Sequence, residues 1–340
     1  MILEGTILRG RDFDPVEGRV VAEDGEITGI EETAVDSDAI VCPAFVNAHT
    51  HIGDSIAKEA GEGLTLEELV APPDGLKHRL LRAASTEELV AGMRRTISFM
   101  EGAGTGAFVE FREGGVDGVR AIDTALADSP VRSVVLGRET VAAMEQADGF
   151  GASGANDDEF GAERRATRQA GKLFGIHAGE VDASDINPAL DLDPDFLVHM
   201  VHAADIHLDR VADSDVPVVV CPRSNLSTGV GRPPIEALAE RTTVALGTDN
   251  VMLNSPSMFR EMAVTEMISD LSAREVLRMA TVNGAEIAGL DCGVIEPGRP
   301  ARLFSLDGDT DNLAGAQNPV RALVRRAGVD DVDRVVLPDT

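Results

Sequence analysis

The segment Phe45-Val46-Asn47-Ala48-His49-Thr50-His51 carries two histidines one residue apart, directly after an apolar run typical of a buried strand. Side chains at positions i and i+2 of a strand point to the same face, so both imidazoles can bind one ion. A histidine pair at this spacing also occurs in buried hydrogen-bond networks that hold no metal. The segment therefore predicts a metal-binding strand end only if further ligands follow along the chain.

Apolar runs of strand length alternate with helical patterns through the middle of the chain, in the order expected of repeated βα units. The eight candidate strands are residues 45–51, 107–112, 131–138, 148–154, 173–180, 196–201, 216–221 and 243–249. Between them, residues 86–101 are predicted as a helix with Thr86 at its cap position, and residues 156–170 as another helix. Eight strands with crossover helices predict an α/β fold, a (β/α)8 TIM barrel.

Both ends of the chain have a different pattern from this middle part. Residues 1–44 and 290–340 resemble β-hairpins, with turn signals at Asp24-Gly25 and Pro297-Gly298. We expect the two ends to form one small β-sandwich domain, and residues 45–289 to form the barrel domain.

The chain is strongly acidic, with a formal net charge of -29 at pH 7. Only three of its 30 basic residues are lysines, Lys58, Lys77 and Lys172, and the acidic residues are spread along the whole chain. Dispersed carboxylates with few lysines favour a halophilic protein of a high-salt cytoplasm, where short Debye lengths screen self-repulsion. An acidic face for a cationic partner is the alternative, although no contiguous acidic block marks one. The same charge balance disfavours nucleic-acid binding, which needs a basic stripe.

No apolar run reaches the length of a membrane span, and the start MILEGTILRG lacks a basic region followed by an apolar block. These features predict a cytoplasmic protein that has no membrane partner. The three cysteines, Cys42, Cys221 and Cys292, have no CxxC spacing. We therefore expect neither a disulfide framework nor a thiolate zinc site.

Polar residues suited to chemistry lie at or near the ends of the predicted strands, where barrels of this type carry their active sites. They are His51, Glu180, His199 and Asp249. A straight strand would not align Glu180 with His177, but a bend at Gly179 lets the carboxylate turn back over the site. Because the first and eighth strands of a closed barrel are neighbours, Asp249 can reach an ion held by His49 and His51.

Several motifs follow one another along the chain: HTH at 49–51, HAGE at 177–180, HxxH at 199–202, CPRSNL at 221–226 and GTD at 247–249. Asn283-Gly284-Ala285 and the IEPGRPA segment at 295–301 come after them. This ordered set resembles the amidohydrolase superfamily, specifically its aminohydrolase branch of adenosine-, cytosine- and guanine-deaminase-like enzymes. The likeness extends over nearly the whole chain.

The resemblance implies one divalent metal ion with four protein ligands and a water in an open position. The ligands are His49, His51, His177 and Asp249. Zinc suits three imidazoles and a carboxylate, although these ligand types leave iron and manganese open. A structural zinc site would be closed by four ligands without a further Glu and His beside it, so the full set favours catalysis.

The same resemblance implies the catalytic roles. Glu180 is expected to act as general acid/base, protonating the ring nitrogen beside the amine-bearing carbon, and Asp249 to accept a proton from the activated water. His199 is expected to orient the attacking oxygen, since its distance to the CPRSNL segment matches this family. His202 is the alternative for that role, and is otherwise expected to pack in the following loop, with His207 on a helix surface.

Substrate-binding candidates lie on the loops after the strands. They are Arg112, Glu113, Arg138, Arg223, Asn225 and His78. The last belongs to the loop 72–79, which can fold over the site and bring His78 or Lys77 to substrate. For the residues that follow the strands, the alternative is an interstrand ion pair. For the loop 72–79, the alternative is a solvated position. The long connection after the first strand and the short one after the third favour a small substrate.

We therefore predict a mononuclear metal-dependent aminohydrolase that deaminates a nucleobase, nucleoside or pterin and releases ammonia, a hydrolase of carbon–nitrogen bonds other than peptide bonds. No lysine lies near the end of the fourth strand to bridge a second metal. A cyclic-amide or halogenated-ring hydrolase is the enzymatic alternative, and a metal-binding scaffold protein the non-enzymatic one. A homodimer is compatible with the resemblance.

Overall fold

The computed structural model describes residues 1–71 and 73–338. Pro72 of the predicted loop, and Asp339 and Thr340 of the predicted terminal domain, lie outside the described residues. The strands are β1 (Ile2–Arg9), β2 (Asp14–Glu23), β3 (Glu26–Glu32), β4 (Ile40–Pro43), β5 (Phe45–His51), β6 (Thr105–Arg112), β7 (Arg132–Gly137), β8 (Gly149–Ala152), β9 (Leu173–Ala178), β10 (Phe196–His199), β11 (Val218–Val220), β12 (Val244–Leu246), β13 (Asp249–Asn250), β14 (Leu303–Leu306) and β15 (Val332–Val336).

The helices fill the connections between the strands. They are α1 (Leu66–Val70), α2 (Leu76–Ala83), α3 (Thr86–Gly102), α4 (Gly115–Leu126), α5 (Val141–Gln146), α6 (Gly161–Ala170), α7 (Ile186–Asp191), α8 (Asp205–Ser214), α9 (Pro222–Thr228), α10 (Ile235–Ala239), α11 (Met258–Ile268), α12 (Ala273–Met279), α13 (Val282–Ile287) and α14 (Pro319–Arg325). Two short 3-10 helices span Ile52–Ala57 and Val329–Asp331.

Strands β5 to β13 form a parallel sheet that closes into a barrel, so the predicted fold class is confirmed. The sheet order is β12-β11-β10-β9-β8-β7-β6-β5-β13. The eighth barrel position is split, because β12 pairs with β11 while β13 pairs with β5. Asp249 lies opposite Thr50 in that last pairing, and the amide of Thr248 donates to the carbonyl oxygen of His49 at 3.0 Å. Closure thus places the GTD motif beside the HTH motif.

The terminal segments contribute strands to one six-stranded sheet, ordered β15-β14-β4-β1-β2-β3. The predicted turn at Asp24-Gly25 connects β2 to β3, and its φ angles of 49° and 80° are those of a two-residue hairpin. The C-terminal segment also contains α14, a helix that the sequence pattern missed. The boundaries at 44/45 and 289/290 stay a proposal for the domain division.

Two helix starts differ from their prediction. The cap of α3 is Ser85 rather than Thr86, because the Ser85 side chain accepts from the amide of Glu88 and the Glu88 carboxylate accepts from the amide of Ser85. This is a capping box. Helix α6 begins at Gly161 rather than at Asn156. The side-chain amide of Asn156 instead donates to Oγ of Ser184 at 2.7 Å.

Apolar side chains fill the barrel interior beneath the carboxyl ends of the strands. All eight residues of β6 are buried, as expected for a parallel strand covered on both faces. Phe111 of this strand is fully buried. It lies edge-on to His49 and His177, with ring centroids 4.6 and 5.0 Å apart, and so forms the floor of the histidine cluster. No helix within the described residues is long and apolar enough to cross a membrane.

Candidate active site

Four barrel strands, β5, β9, β10 and β13, bring the six predicted metal-binding and catalytic side chains together. His49 and His51 lie on β5, His177 on β9, Glu180 just after it, His199 at the end of β10 and Asp249 at the start of β13. Three overlapping groups have ligand atoms within 4.8 Å of one another: His49, His177 and His199; His49, His51 and Asp249; and Glu180, His199 and Asp249. The i,i+2 spacing of β5 thus does place both imidazoles on one side.

The spacing of the ligand atoms fits a single ion. Nε2 of His49 lies 3.3 Å from Nε2 of His177 and 3.4 Å from Oδ1 of Asp249. Nε2 of His51 lies 3.6 Å from the same oxygen. Ligand atoms held 2.0–2.1 Å from one zinc at tetrahedral angles are about 3.4 Å apart. The described residues therefore form a cluster with the size and donor chemistry of a divalent metal site.

Burial and the contacts among these donors shift their pKa values toward neutral imidazoles and an ionised carboxylate. It lowers the pKa of His51 to about 3, with help from the Lys77 ammonium, and it lowers the pKa of His177 well below the usual range, with help from the neighbouring histidines. Burial alone would raise the pKa of Asp249, but its contacts with the histidines, first of all His49, pull it well below the ordinary value. Neutral imidazoles and an ionised carboxylate are the forms that bind a metal ion.

The second ring nitrogens of two histidines face acceptors. Nδ1 of His51 lies 2.7 Å from Oε1 of Glu113 and 3.1 Å from the carbonyl oxygen of Phe111. Nδ1 of His177 lies 2.8 Å from the carbonyl oxygen of Ala152. Because both Nδ1 atoms must donate, the proton is on Nδ1 and the Nε2 lone pair points to the centre. The surrounding backbone and Glu113 thereby prepare both rings to be ligands.

His199 has the opposite arrangement. The Asn225 amide donates to its Nδ1 at 3.1 Å, which leaves the ring proton on Nε2, 3.5 Å from Oε2 of Glu180. This tautomer makes His199 a hydrogen-bond donor toward the cavity. His199 also has a φ of 81°, a backbone conformation that is uncommon outside glycine and concentrates at functional sites.

Glu180 reaches the cluster through the bend predicted from the sequence. Gly179 has a φ of 66°, in the left-handed region, and the chain after β9 turns so that the Glu180 carboxylate faces His199. Burial raises the pKa of Glu180, partly offset by His199. A carboxyl group with a raised pKa can carry a proton near neutral pH and release it to a substrate.

A cavity of about 680 Å³ opens over the cluster. Its wall includes five of the predicted metal-binding and catalytic residues, namely His51, His177, Glu180, His199 and Asp249, together with residues of α1 and α2. This volume is within the range of pockets that bind small molecules. A second cavity of about 850 Å³ adjoins it and shares Arg138, Ser153 and Asp157 with it.

The predicted substrate-binding residues are distributed unevenly. Arg138 lines the cavity above the cluster, whereas Arg112, Glu113 and His78 line the adjoining one. Nε2 of His78 lies 3.0 Å from the carbonyl oxygen of Val70. The remaining two candidates, Arg223 and Asn225, line neither of these two cavities and contact protein groups, and for Arg223 this is the ion pair expected as the alternative. Arg223 donates to Asn254 and pairs with Glu261, and Asn225 holds His199.

Two histidines outside the cluster do not match their predicted surroundings. His202 is exposed, rather than packed in a loop, and lies outside the cluster. His207 is buried rather than on a helix surface, because its Nδ1 accepts from the amide of Ala204 at the start of α8. Only His199 of the HxxH motif therefore faces the catalytic groups.

Sequence reasoning missed three residues that support the cluster. The Ser224 hydroxyl donates to Oδ2 of Asp249 at 2.5 Å. The side-chain amide of Asn47 donates to Oγ1 of Thr248, and the backbone amide of Thr248 donates to Oδ1 of Asn47. Ser224 lies inside the CPRSNL motif, so its position was a usable signal. The pairing of Asn47 with Thr248 has no local signal, because 201 residues separate the two.

The chain matches the amidohydrolase family model over residues 40–191 and 161–336, and it belongs to this family. A relative from Methanothermobacter thermautotrophicus that carries the name "Putative aminohydrolase" is 37% identical over 351 residues, covering 90% of this chain and 91% of the relative. A 5-methylthioadenosine/S-adenosylhomocysteine deaminase from Haloarcula marismortui is 28% identical, and the match covers 94% of this chain and 85% of the relative. The chain is thus a hydrolase acting on carbon–nitrogen bonds other than peptide bonds.

A solved structure shares the fold at lower sequence identity. It is a mutant atrazine chlorohydrolase from Arthrobacter aurescens TC1, complexed with zinc and atraton, with a TM-score of 0.86 and 18% identity. The match covers 99% of this chain and 94% of that chain. At this identity the likeness shows the fold alone, the barrel with its terminal sheet.

Proposed function

We propose that this protein is a mononuclear metal-dependent aminohydrolase that replaces an exocyclic amine of a nitrogen heterocycle by oxygen and releases ammonia. The observation that carries the proposal is the arrangement of two kinds of side chain around one centre. His49, His51, His177 and Asp249 offer ligand atoms at a spacing that fits one ion, and Glu180 and His199 lie beside them as the candidate proton donor and hydrogen-bond donor.

A divalent ion, with zinc the best fit, would supply Lewis-acid activation of a water at this centre. Asp249, held ionised by the histidines, is positioned to accept a proton from that water. The Nε2–H of His199 is positioned to donate a hydrogen bond to the incoming oxygen. Glu180 protonates the ring nitrogen next to the amine-bearing carbon. Its carboxylate then takes the proton of the added hydroxyl and passes it to the amine, which leaves as ammonia when the C–N bond breaks, and the proton held by Asp249 returns to Glu180.

The substrate is a small amino-substituted heterocycle, a nucleobase, nucleoside or pterin. The cavity volume of about 680 Å³ suits such a molecule. The deaminase relative supports this class because its similarity extends over most of both chains. Arg138 on the shared wall of the two cavities is proposed to contact the part of the substrate that is remote from the amine.

The test is ammonia release from a panel of amino-substituted bases, nucleosides and pterins by zinc-loaded protein. Glu180→Gln is expected to lower turnover by about 10²- to 10⁴-fold, the usual contribution of general acid/base catalysis. Glu145→Gln, which changes an exposed carboxylate in the same way, is the matched control and keeps full activity. No release from the panel by protein with one bound metal equivalent overturns deamination and favours the cyclic-amide and ring-halide alternatives.

The surroundings in which the protein works are a separate proposal. The net charge of -29 supports a high-salt cytoplasm. Activity that increases from low salt to molar KCl would support it, and activity lost in molar KCl would contradict it. A homodimer is proposed from the family resemblance, and light scattering in the same buffer measures it.

A further inference from the structure

Lys77 is a buried cation beside the candidate metal centre. It lies on α2, in the connection between β5 and β6, and its side chain is only 3% exposed. Its Nζ is 2.6 Å from Oε1 of Glu113 and donates to Oδ1 of Asn250 at 2.9 Å. A buried ammonium is tolerated only where acceptors replace its water, so these two contacts hold the helix in place.

Both partners of Lys77 also contact a proposed metal ligand. Oε1 of Glu113 is 2.7 Å from Nδ1 of His51, and the Asn250 amide donates to Oδ1 of Asp249 at 3.0 Å. Asn250 pairs with His51 in the register of β13 with β5. The contacts therefore form a ring that runs from one ligand through Lys77 to the other.

Three cations surround the Glu113 carboxylate, and Lys77 is the nearest of them. Arg138 lies 3.1 Å from Oε1 and Arg112 3.5 Å from Oε2 of the same carboxylate. An ionised carboxylate on Nδ1 fixes the ring orientation and makes Nε2 a better metal ligand.

Helix α1 and its flanking residues, together with Lys77 of α2, form one wall of the active-site cavity. We call residues 65–71 and 73–84 the cover. Thr65, Leu66, Val70, Ala71 and Lys77 line the cavity from the cover. Apart from the Lys77 contacts, the cover packs through a small apolar cluster in which Leu69 of α1 meets Ala57 and Met252. Among the described residues, the hydrogen bonds and ion pairs that join the cover to the rest of the chain are those of Lys77.

We propose that Lys77 is a positioning residue that fastens the cover to the metal centre, so that closure of the cover and affinity for the ion depend on each other. The inference rests on the metal site of the proposed function and is independent of the substrate. By linkage, a bound ion that orders His51 and Asp249 stabilises the closed cover, and a closed cover strengthens the binding of the ion by the same factor.

The test measures two quantities in the full-length protein, with zinc alone as the probe. Zinc affinity comes from competition with a chromophoric chelator, and cover closure from amide hydrogen exchange with and without zinc. We expect zinc to slow exchange of cover peptides by about tenfold or more in the unmodified protein. Lys77→Met is expected to abolish that slowing and to weaken zinc binding by about 10- to 100-fold.

Lys58→Met is the matched control, because Lys58 is exposed in the same connection between β5 and β6. It is expected to behave as the unmodified protein in both measurements. If Lys77→Met fails to fold by circular dichroism, Asn250→Ala cuts the same ring on its other side and is judged by the same two criteria.

The outcomes separate this inference from the proposed function. Zinc affinity and cover exchange in Lys77→Met equal to those of Lys58→Met overturn the role of Lys77 alone. Absence of zinc binding by the unmodified protein overturns both proposals. A zinc-dependent cover that is lost in Lys77→Met, together with silence in the ammonia assay, supports the inference while removing the deaminase function.

Discussion

Gly247 lies where the eighth strand of the barrel meets the first, and a side chain there would collide with His49. A Cβ built there stands 2.7 Å from Cβ of His49 and 3.0 Å from the backbone nitrogen and oxygen of His49. Ordinary Cβ contacts begin at 3.4 Å. Gly247→Ala therefore forces the eighth strand away from the first by several tenths of an ångström, against strand backbone that cannot swing aside.

Gly247→Ala is expected to lower both the unfolding free energy and the affinity for zinc. Inserting a methyl group into a packed interior costs about 1–3 kcal/mol of unfolding free energy. The displacement also strains the hydrogen bond from the Thr248 amide to the carbonyl oxygen of His49, which is 3.0 Å long. Because His49 and Asp249 then separate, we expect zinc affinity to fall by at least about tenfold, as it does when support of a ligand is removed.

Urea unfolding of the metal-free protein and chelator competition measure the two effects separately. Gly102→Ala is the control, since a Cβ at Gly102 meets nothing within 4 Å and the residue ends α3. The control is expected to change unfolding free energy by less than about 1 kcal/mol. If Gly247→Ala matches the control in stability and zinc affinity, the contact at the strand crossing does not hold the ligands in place.

Two further predictions concern stability. Burial raises the pKa of Glu261 to about 7, partly offset by Arg223; because the folded state resists its ionisation, this residue costs stability as pH rises from about 4.5 through 7. The unfolding free energy of Glu261→Gln should therefore rise relative to that of the unmodified protein, by up to about 3 kcal/mol between pH 4.5 and 8. Parallel pH curves of unfolding free energy for the two proteins would contradict this. Removal of the metal with a chelator should lower Tm, and free zinc at about 100 times its Kd should add about 2.7 kcal/mol to the unfolding free energy. Calorimetry measures both, and a Tm that responds to neither chelator nor zinc would argue against a metal site.

Much of the fold and the candidate site could be predicted from local pattern. The alternation of strand and helix patterns predicted the barrel, because βα repeats have few stable arrangements. The i,i+2 spacing placed His49 and His51 on one face, and the glycine before Glu180 predicted the turn that brings its carboxylate to His199. These inferences succeeded because each depends on residues that are near neighbours in the chain.

Helix starts were less predictable, since neighbouring polar residues compete for the cap. Ser85 caps α3 although Thr86 was equally suited by type, because only Ser85 has a glutamate three residues on that returns the bond. The helix α14 also escaped prediction. It is a short helix of seven residues, and short apolar runs give too little periodicity to separate helix from strand.

By itself, the sequence determined the barrel, the order of its motifs and the side chains that meet at one end, since strand periodicity and barrel closure dictate these. Only the tertiary structure decided which groups support that cluster. Glu113 was predicted at the substrate and instead contacts His51. Lys77, expected on a loop that reaches the substrate or solvent, is buried against Glu113, and Asn47 meets Thr248. The physical reason is that a hydrogen bond depends on where two distant segments pack, and no local pattern encodes that distance.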